Sequence, residues 1–191
     1  MTMVDHFQGK FTVPNLITLV RILLTPLFII CLIQGKYQKA LIVFLLAGVS
    51  DLADGMVARL WQQKSPLGAF LDPLADKLLL SSSFITLGIF HLVPPWLTVV
   101  VCSRDIILVL GVVIFKLVDL PLAIMPTPSG KLTTALQLAT VLLVLINKRY
   151  LLPVALLQAL FGLTGVITTV SGVQYLYNGL KYASQSQGNR N

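Results

Sequence analysis

Long apolar runs separated by short polar links occupy most of this 191-residue chain. A helix needs about 20 apolar residues to cross a hydrocarbon core ~30 Å thick. We expect six transmembrane helices, at Pro14–Gln34, Ala40–Trp61, Phe70–Leu92, Trp96–Val118, Leu132–Ile146 and Leu151–Tyr177. The sequence therefore predicts an all-α integral membrane protein with one six-helix domain over residues 1–182. Residues 183–191 are expected to form a polar C-terminal tail.

Composition excludes the soluble classes. Hydrophobic residues make up 56% of the chain and charged residues 11%, whereas soluble domains carry about 25% charged residues. The same apolar content excludes an intrinsically disordered chain. The formal net charge is +7, but the basic residues are scattered between apolar runs and form no stripe. We therefore expect contact with anionic membrane lipids and no nucleic-acid partner.

The loop charges predict an orientation. If the N-terminus is cytoplasmic, the cytoplasmic side collects seven basic residues, Lys10, Arg59, Lys64, Lys116, Lys131, Lys181 and Arg190. The opposite side then holds four, Lys36, Lys39, Lys148 and Arg149. Cytoplasmic loops carry the excess of Lys and Arg. The counts favour placing both termini in the cytoplasm.

Acidic residues lie where a bilayer tolerates them poorly. Glu is absent and all seven acids are Asp. Four of them, Asp51, Asp54, Asp72 and Asp76, fall within 26 residues, at the end of the second apolar run and the start of the third. One Asp at the centre of a membrane helix costs about 2.5–3.5 kcal/mol. Four neighbouring carboxylates also repel one another, so we expect cations among them.

Spacing allows these carboxylates to converge. Asp51 and Asp54 are three residues apart and Asp72 and Asp76 are four apart, which places each pair on one face of a helix. The link over residues 60–67 is short, so the two helices are expected to be antiparallel neighbours. Two carboxylates from each helix would then face one another.

Pro73 allows two alternative starts for the third helix. Asp72 could cap the helix with Pro73 in its first turn, or the helix could run through Pro73 with a kink. The sequence does not decide between these alternatives.

Oxygen ligands without nearby His or Cys suit Mg²⁺ or Mn²⁺. Four carboxylates can hold two such ions ~3.5–4 Å apart, an arrangement suited to phosphoryl displacement. In one alternative, the acids form structural ion pairs with Arg59, Lys77 and Arg104. In another, they relay ions or protons in a small transporter, although a transporter would spread its acids over distant segments near mid-membrane.

The segment from Asp51 to Asp76 reads D-L-A-D-G-M-V-A-R, eight residues, then G-A-F-L-D-P-L-A-D. It resembles the CDP-alcohol phosphotransferase signature D-x2-D-G-x2-A-R-x8-G-x3-D-x3-D at every fixed position. Four further segments are similar to members that make anionic glycerophospholipids. They are Pro14–Arg21, Ser103–Asp105, Gly130–Gln137 and Thr169–Gly172.

The resemblance implies a six-helix membrane enzyme, usually a homodimer, with its site on the cytoplasmic side of a bacterial-type inner membrane. It would transfer a phosphatidyl group from CDP-diacylglycerol to an alcohol and release CMP. Asp51, Asp54 and Asp72 would be metal ligands. Asp76 would be the base, a metal ligand or both.

The nucleotide would be bound by residues of the same signature. By resemblance, Gly55, Ala58 and Arg59 would line the cytidine diphosphate, together with Gly68. Two further residues, Asn15 and Thr18, share a face of the first helix with Arg21 and could edge the nucleotide pocket. Packing explains their position almost as well.

The acceptor is less tightly defined. Arg104 and Lys131 are candidates to bind the phosphate of glycerol 3-phosphate, which would give phosphatidylglycerophosphate, and Lys77 follows Asp76 and could touch the site. Arg104 could equally be a structural partner of Asp105. Phosphatidylglycerophosphate synthases usually have Glu at that position and a further Arg. Asp at this position is similar to the cardiolipin synthases of the same family, whose acceptor is phosphatidylglycerol. Glycerol 3-phosphate remains the preferred acceptor at this point.

Small residues in the sixth apolar run predict close helix packing. Gly165, Thr169 and Gly172 are spaced by four and three residues, which lets another backbone approach. Since the resemblance implies a homodimer, this stripe is a candidate dimer seam.

Overall fold

A computed structural model of the chain is helical throughout the described residues. Its secondary structure is described for residues 13–60, 66–117 and 128–188, and its side chains for residues 18–50, 75, 77–114 and 128–181. Six helices follow one another: α1 Val13–Ile33, α2 Tyr37–Leu60, α3 Pro66–Ile89, α4 Pro95–Leu117, α5 Pro128–Tyr150 and α6 Val154–Gly188. Each overlaps one predicted run, and the all-α class is confirmed.

A tight turn joins α1 to α2. Gly35 takes a left-handed conformation with φ of 67°, which glycine adopts without strain. The N–H of Lys36 donates to the carbonyl of Cys31 at 2.9 Å, and the N–H of Gly35 donates to that of Leu32 at 3.0 Å. This pair of bonds is the Schellman motif that ends helices. The chain reverses within three residues, so α1 and α2 run antiparallel.

The described contacts divide the chain into two compact units. The first comprises residues 1–86 and 145–151, and the second comprises residues 87–144 and 152–191. In the first unit, α1 packs along α2. Phe28 and Phe44 lie at the centre of this contact, with ring centroids 5.4 Å apart, and both are buried.

In the second unit, α6 packs along α4. A Cβ added to Gly165 would lie 2.5 Å from the Trp96 ring, and one added to Gly172 would lie 3.5 Å from Cγ of Arg104. The expected close packing is therefore confirmed, but the partner of these two glycines is α4 of the same chain. The sequence made them candidates for a dimer seam, whereas both lie against α4 in the structure. Going along α6 from Gly165 to Gly172, the contacting residue on α4 moves from Trp96 to Arg104. Both residue numbers increase, so these helices run parallel.

α5 also contacts α6 within the second unit. The Ser129 hydroxyl lies 2.6 Å from Oε1 of Gln174, and the Thr140 and Thr164 hydroxyls lie 2.9 Å apart. As the residue number rises from 129 to 140 along α5, that of the contacting residue on α6 falls from 174 to 164. The two helices therefore run antiparallel.

Large apolar side chains are exposed on all six helices, among them Leu23, Ile42, Ile85, Val99, Leu132 and Val166. Such a surface is unfavourable in water and suits a lipid environment. Within the described residues, three segments are long and apolar enough to cross a membrane: Pro95–Ile114, Pro128–Tyr150 and Val154–Lys181. The described parts of α1, α2 and α3 form shorter apolar stretches. The structure thus supports a membrane protein with at least three candidate spans.

Several helix ends differ from the sequence expectation. α3 begins at Pro66, so Asp72 lies inside the helix and the capping alternative is wrong. α5 begins at Pro128 and α6 continues to Gly188, past the predicted ends of the apolar runs. Apolar content marks the part of a helix suited to lipid, whereas backbone hydrogen bonding continues into polar residues.

Candidate active site

The signature segment spans the end of α2 and the start of α3. Asp51 and Asp54 lie in α2, and Asp72 and Asp76 lie in α3. Helical backbone in both segments keeps each spacing at about one turn. The side chains of these four residues lie outside the described residues, as do those of the other predicted nucleotide-binding positions Asn15, Gly55, Ala58, Arg59 and Gly68.

Stripes of buried residues lead toward the aspartate positions on both helices. On α2 the stripe includes Ala40, Phe44 and Ala47, and on α3 it includes Leu87 and Leu80. Continuing the spacing of three to four residues reaches positions 51 and 54 on α2. On α3 it reaches positions 76 and 72. Positions 51, 54, 72 and 76 therefore follow the helical register of these buried residues.

α1 adds a cation to the same region. Arg21 is 1% exposed and Thr18 is 0% exposed, so both face the protein interior. Extending the antiparallel register of Phe28 and Phe44 by seven residues brings Arg21 level with position 51. A buried guanidinium is costly unless negative charge lies near it. Arg21 lies inside an apolar run, and the sequence predicts that it shares with Asn15 and Thr18 the face that could edge the nucleotide pocket.

The chemistry of the donor set fits a divalent metal ion. Between residues 51 and 76 the chain supplies four carboxylates and neither His nor Cys. Hard oxygen donors of this kind bind Mg²⁺ or Mn²⁺ in preference to zinc. The four aspartates could hold such an ion.

Arg104 and Asp105 form a buried ion pair in α4. Nη1 of Arg104 lies 2.9 Å from Oδ1 of Asp105, and Nη2 donates to the Ser171 hydroxyl of α6 at 3.4 Å. The two residues are 7% and 5% exposed. Each charge thus has an opposite partner, which supports the structural role considered for Arg104.

The other two candidate acceptor residues are Lys131 and Lys77. Lys131 is exposed in the first turn of α5, and Lys77 is partly exposed in α3. Lys131 belongs to the second unit and Lys77 to the first. The described contacts of Arg104 are thus with Asp105 and Ser171.

A buried polar layer in α5 and α6 extends the second unit's polar interior. Gln137 and Thr168 are both 0% exposed. Among the described residues, neither polar atom of the Gln137 amide has a hydrogen-bond partner, and the Thr168 hydroxyl has none. Leaving such groups unpaired costs about 1–3 kcal/mol each, so a polar ligand or water would be stabilised there. The sequence prediction missed Thr168, although threonines at positions 164 and 168 mark a polar helix face.

A groove of about 240 Å³ lies between α4 and α6. Its lining is mostly aliphatic, with polar groups from Ser103, Arg104, Thr168 and Thr169. Gly172 forms part of the wall. The groove therefore combines an apolar wall with a guanidinium and hydroxyls, a combination suited to an amphipathic molecule.

The chain matches the family model described as CDP-alcohol phosphatidyltransferase over residues 11–171. The match includes the complete aspartate signature and the ion pair of Arg104 with Asp105. Enzymes of this family generally use a divalent metal ion.

Several curated relatives are similar over most of this chain. A probable cardiolipin synthase (CMP-forming) of Drosophila melanogaster is 34% identical, covering 91% of this chain and 59% of its own length. The cardiolipin synthase (CMP-forming) of Homo sapiens is 34% identical, with 92% and 64% covered. A probable phosphatidylglycerophosphate synthase of Mycobacterium tuberculosis H37Rv is 30% identical, with 87% and 81% covered. The chain thus spans about three fifths of the length of the first two.

Proposed function

Because the chain belongs to the CDP-alcohol phosphatidyltransferase family, we propose that it is a membrane phosphatidyltransferase. It moves the phosphatidyl group of CDP-diacylglycerol to a hydroxyl of phosphatidylglycerol, forming cardiolipin and releasing CMP. The observation that carries this proposal is the complete signature from Asp51 to Asp76, on two consecutive helices. Two bound divalent ions would supply charge stabilisation for the phosphates.

The chain's own residues then divide the work. Asp51, Asp54 and Asp72 would hold the cations, and the forked donors of Arg59 suit a phosphate of the nucleotide. The acceptor oxygen forms a bond to the phosphorus that carries diacylglycerol, while the bond from that phosphorus to the CMP oxygen breaks. The Asp76 carboxylate takes the proton of the attacking hydroxyl. Since a carboxylate is a weak base toward an alcohol, proton transfer accompanies bond formation.

Phosphatidylglycerol is placed first as acceptor, which reverses the order favoured by the sequence. Asp105 neutralises the guanidinium of Arg104, so this residue offers less net charge to the phosphate dianion of glycerol 3-phosphate. The mostly aliphatic α4–α6 groove suits an acceptor that carries acyl chains. Relatives named cardiolipin synthase cover most of this chain at 34% identity, which also supports the lipid acceptor.

Glycerol 3-phosphate is the second candidate. Lys131 is exposed in the first turn of α5. It lies outside the aspartate signature, which assigns it no acidic partner, and it could bind the acceptor phosphate. The relative named as a probable phosphatidylglycerophosphate synthase covers 87% of this chain. The product in that case would be phosphatidylglycerophosphate.

Three further parts of the proposal rest on the family resemblance and the loop charges. The protein would act as a homodimer, use Mg²⁺ or Mn²⁺, and sit in a bacterial-type inner membrane with its active site toward the cytoplasm. A transporter remains the rival from another class, and it would release no CMP.

A parallel acceptor assay tests the proposal. Purified protein in detergent is given CDP-diacylglycerol and Mg²⁺ with phosphatidylglycerol, glycerol 3-phosphate, inositol phosphate or serine, and the lipid products are identified by mass. We expect cardiolipin from phosphatidylglycerol. Formation of phosphatidylglycerophosphate alone would replace the first acceptor with the second. Product from serine alone, or from no acceptor, would contradict the proposal.

A further inference from the structure

Four basic residues meet at the end of α2 that is distant from the aspartates. Lys36, Lys39, Lys148 and Arg149 line one cavity of about 520 Å³. The rest of its lining comes from Gly35, Tyr37, Gln38 and Leu145. All of these residues belong to the first compact unit.

Two helix ends bring these distant parts of the sequence together. The turn at Gly35 places Lys36 and Lys39 at the start of α2. Lys148 and Arg149 lie in the last turn of α5, which ends where the N–H of Leu151 donates to the carbonyl of Asn147 at 3.1 Å. More than one hundred residues of sequence separate the two pairs, so their meeting is a property of the fold.

The positive charge of this cavity has no acidic counterpart among the described residues that line it. Lys36 donates to Oε1 of Gln34 at 2.7 Å, and Nζ of Lys148 lies 5.4 Å from the Tyr37 ring centroid. Both partners are neutral. Four cations in one concave site produce a field that attracts an anion, and phosphate oxygens make strong charge-assisted hydrogen bonds with Lys and Arg.

Helix dipoles explain only half of this cluster. Lys148 and Arg149 stand at the C-terminus of α5, where a cation is favourable. Lys36 and Lys39 stand at the N-terminus of α2, where the dipole favours an anion and a cation is unfavourable. A bound anion would compensate both the helix end and the two lysines.

The surroundings indicate that the anion belongs to a lipid. These four are all of the basic residues that the loop charges assign to the non-cytoplasmic side, where Lys and Arg are normally depleted. Ile33, two residues before Gly35, is 62% exposed, and Ile42, three residues after Lys39, is 57% exposed. A basic cavity at the end of apolar helices lies at the level expected for phospholipid headgroups.

We propose that this cavity binds the phosphate group of an anionic phospholipid. Tyr37 and Asp51 are fourteen residues apart on α2, about 20 Å at 1.5 Å per residue, so the site is separate from the candidate active site. The bound lipid would hold the α1–α2 turn to the end of α5 by bridging cations from both.

The test uses dioleoylphosphatidic acid, whose headgroup is a phosphate with no alcohol to act as acceptor. Retention of this lipid by the full chain in detergent is measured by native mass spectrometry over a lipid titration. We expect Lys148→Gln to weaken binding about fivefold, and the double variant Lys39→Gln/Lys148→Gln to weaken it about 25-fold if the charges act independently. The matched control Lys181→Gln removes one exposed charge from α6 and should leave binding unchanged.

Further arms of the experiment distinguish a bound anionic lipid from a neutral lipid and from a free anion. The charge-preserving Lys148→Arg should bind as the unaltered chain does, and phosphatidylcholine should be retained far less. Equal retention of phosphatidic acid by the double variant would overturn the proposal, as would equal retention of phosphatidylcholine. Full competition by inorganic phosphate at the lipid's own concentration would assign the cavity to a free anion. Because no turnover is measured, these outcomes are independent of the proposed phosphatidyl transfer.

Discussion

The signature segment of α2 and α3 and the α4–α6 pair differ in how their charged residues are arranged. In α4 and α6, one arginine and one aspartate are buried side by side, with Arg104 also donating to Ser171. Along the signature segment from Asp51 to Asp76, four acids accompany only Arg59, Lys64 and the following Lys77. The first arrangement is balanced within the protein. The second concentrates four acids within 26 residues, on helices whose described residues bury mainly apolar side chains.

This difference indicates where an external cation is needed. A matched ion pair can be replaced by apolar residues at little cost, since desolvation offsets its attraction. Four neighbouring carboxylates repel one another, and bound divalent ions would offset that repulsion. The contrast therefore favours the aspartate segment as the place of the proposed chemistry, with a supporting role for Arg104 and Asp105.

The largest expected effect is the loss of the proposed base. Asp76→Asn removes the proton acceptor while keeping the size of the side chain, so we expect CMP release from CDP-diacylglycerol to fall about 10²–10⁴-fold. The rate is measured in detergent with saturating acceptor. The variant should elute from size exclusion as the unaltered protein does. An Asp76→Asn rate within twofold of the unaltered rate would remove Asp76 from the mechanism.

The next largest effect is expected on the free energy of unfolding when the Arg104–Asp105 ion pair is broken. Arg104→Ala leaves the Asp105 carboxylate buried without its partner, so unfolding should be easier by about 3–5 kcal/mol. The free energy is measured by denaturant titration in mixed micelles. The double variant Arg104→Met/Asp105→Leu should recover most of this loss. If the double variant is as stable as the unaltered chain but inactive, Arg104 acts on substrate as well as on Asp105.

Close packing of α4 and α6 gives a smaller effect. Gly165→Ala places a methyl group 2.5 Å from the Trp96 ring, so we expect a destabilisation of about 1–3 kcal/mol. Gly162 lies three residues earlier on the same helix, and its added Cβ would meet nothing within 4 Å. The control Gly162→Ala should therefore be neutral or stabilise the helix by up to about 1 kcal/mol. Equal effects at both positions would contradict the described α4–α6 contact.

The smallest effect is expected in the hydrogen bond between α5 and α6. Thr140→Val and Thr164→Val each remove one partner of the 2.9 Å contact between the two hydroxyls. A double-mutant cycle should give a coupling of about 0.6 kcal/mol, the average for membrane helix pairs. Unfolding free energies of the four proteins provide the measurement. Zero coupling would mean that water or a neighbouring carbonyl replaces the missing partner.

The helices and the signature were predictable because their information is local. Apolar runs predicted all six helices, and the spacing of the aspartates followed from helix periodicity. Helix ends were less predictable, as α5 shows by starting at Pro128 instead of Leu132. Ser129 and its neighbours are polar, and contact with Gln174 on α6 helps to accommodate them at that end.

Features that depend on distant contacts could not be predicted in this way. Gly165 was expected to pack closely, but only the fold identifies Trp96 as its partner. Likewise, Lys36 and Lys148 were counted as separate loop charges, and the fold brings them into one cavity. Periodicity predicts which face of a helix is buried, and it does not specify which helix covers that face.

The most direct test of metal-dependent phosphatidyl transfer measures CMP release by the purified chain from CDP-diacylglycerol with phosphatidylglycerol as acceptor. The reaction is followed after chelation with EDTA, after addition of excess Mg²⁺, and with Asp51→Asn under both conditions. We expect release only with the added metal, and none from a correctly folded Asp51→Asn variant. Turnover that persists in EDTA, or that survives Asp51→Asn at the unaltered rate, would contradict the claim that the aspartate segment binds catalytic cations.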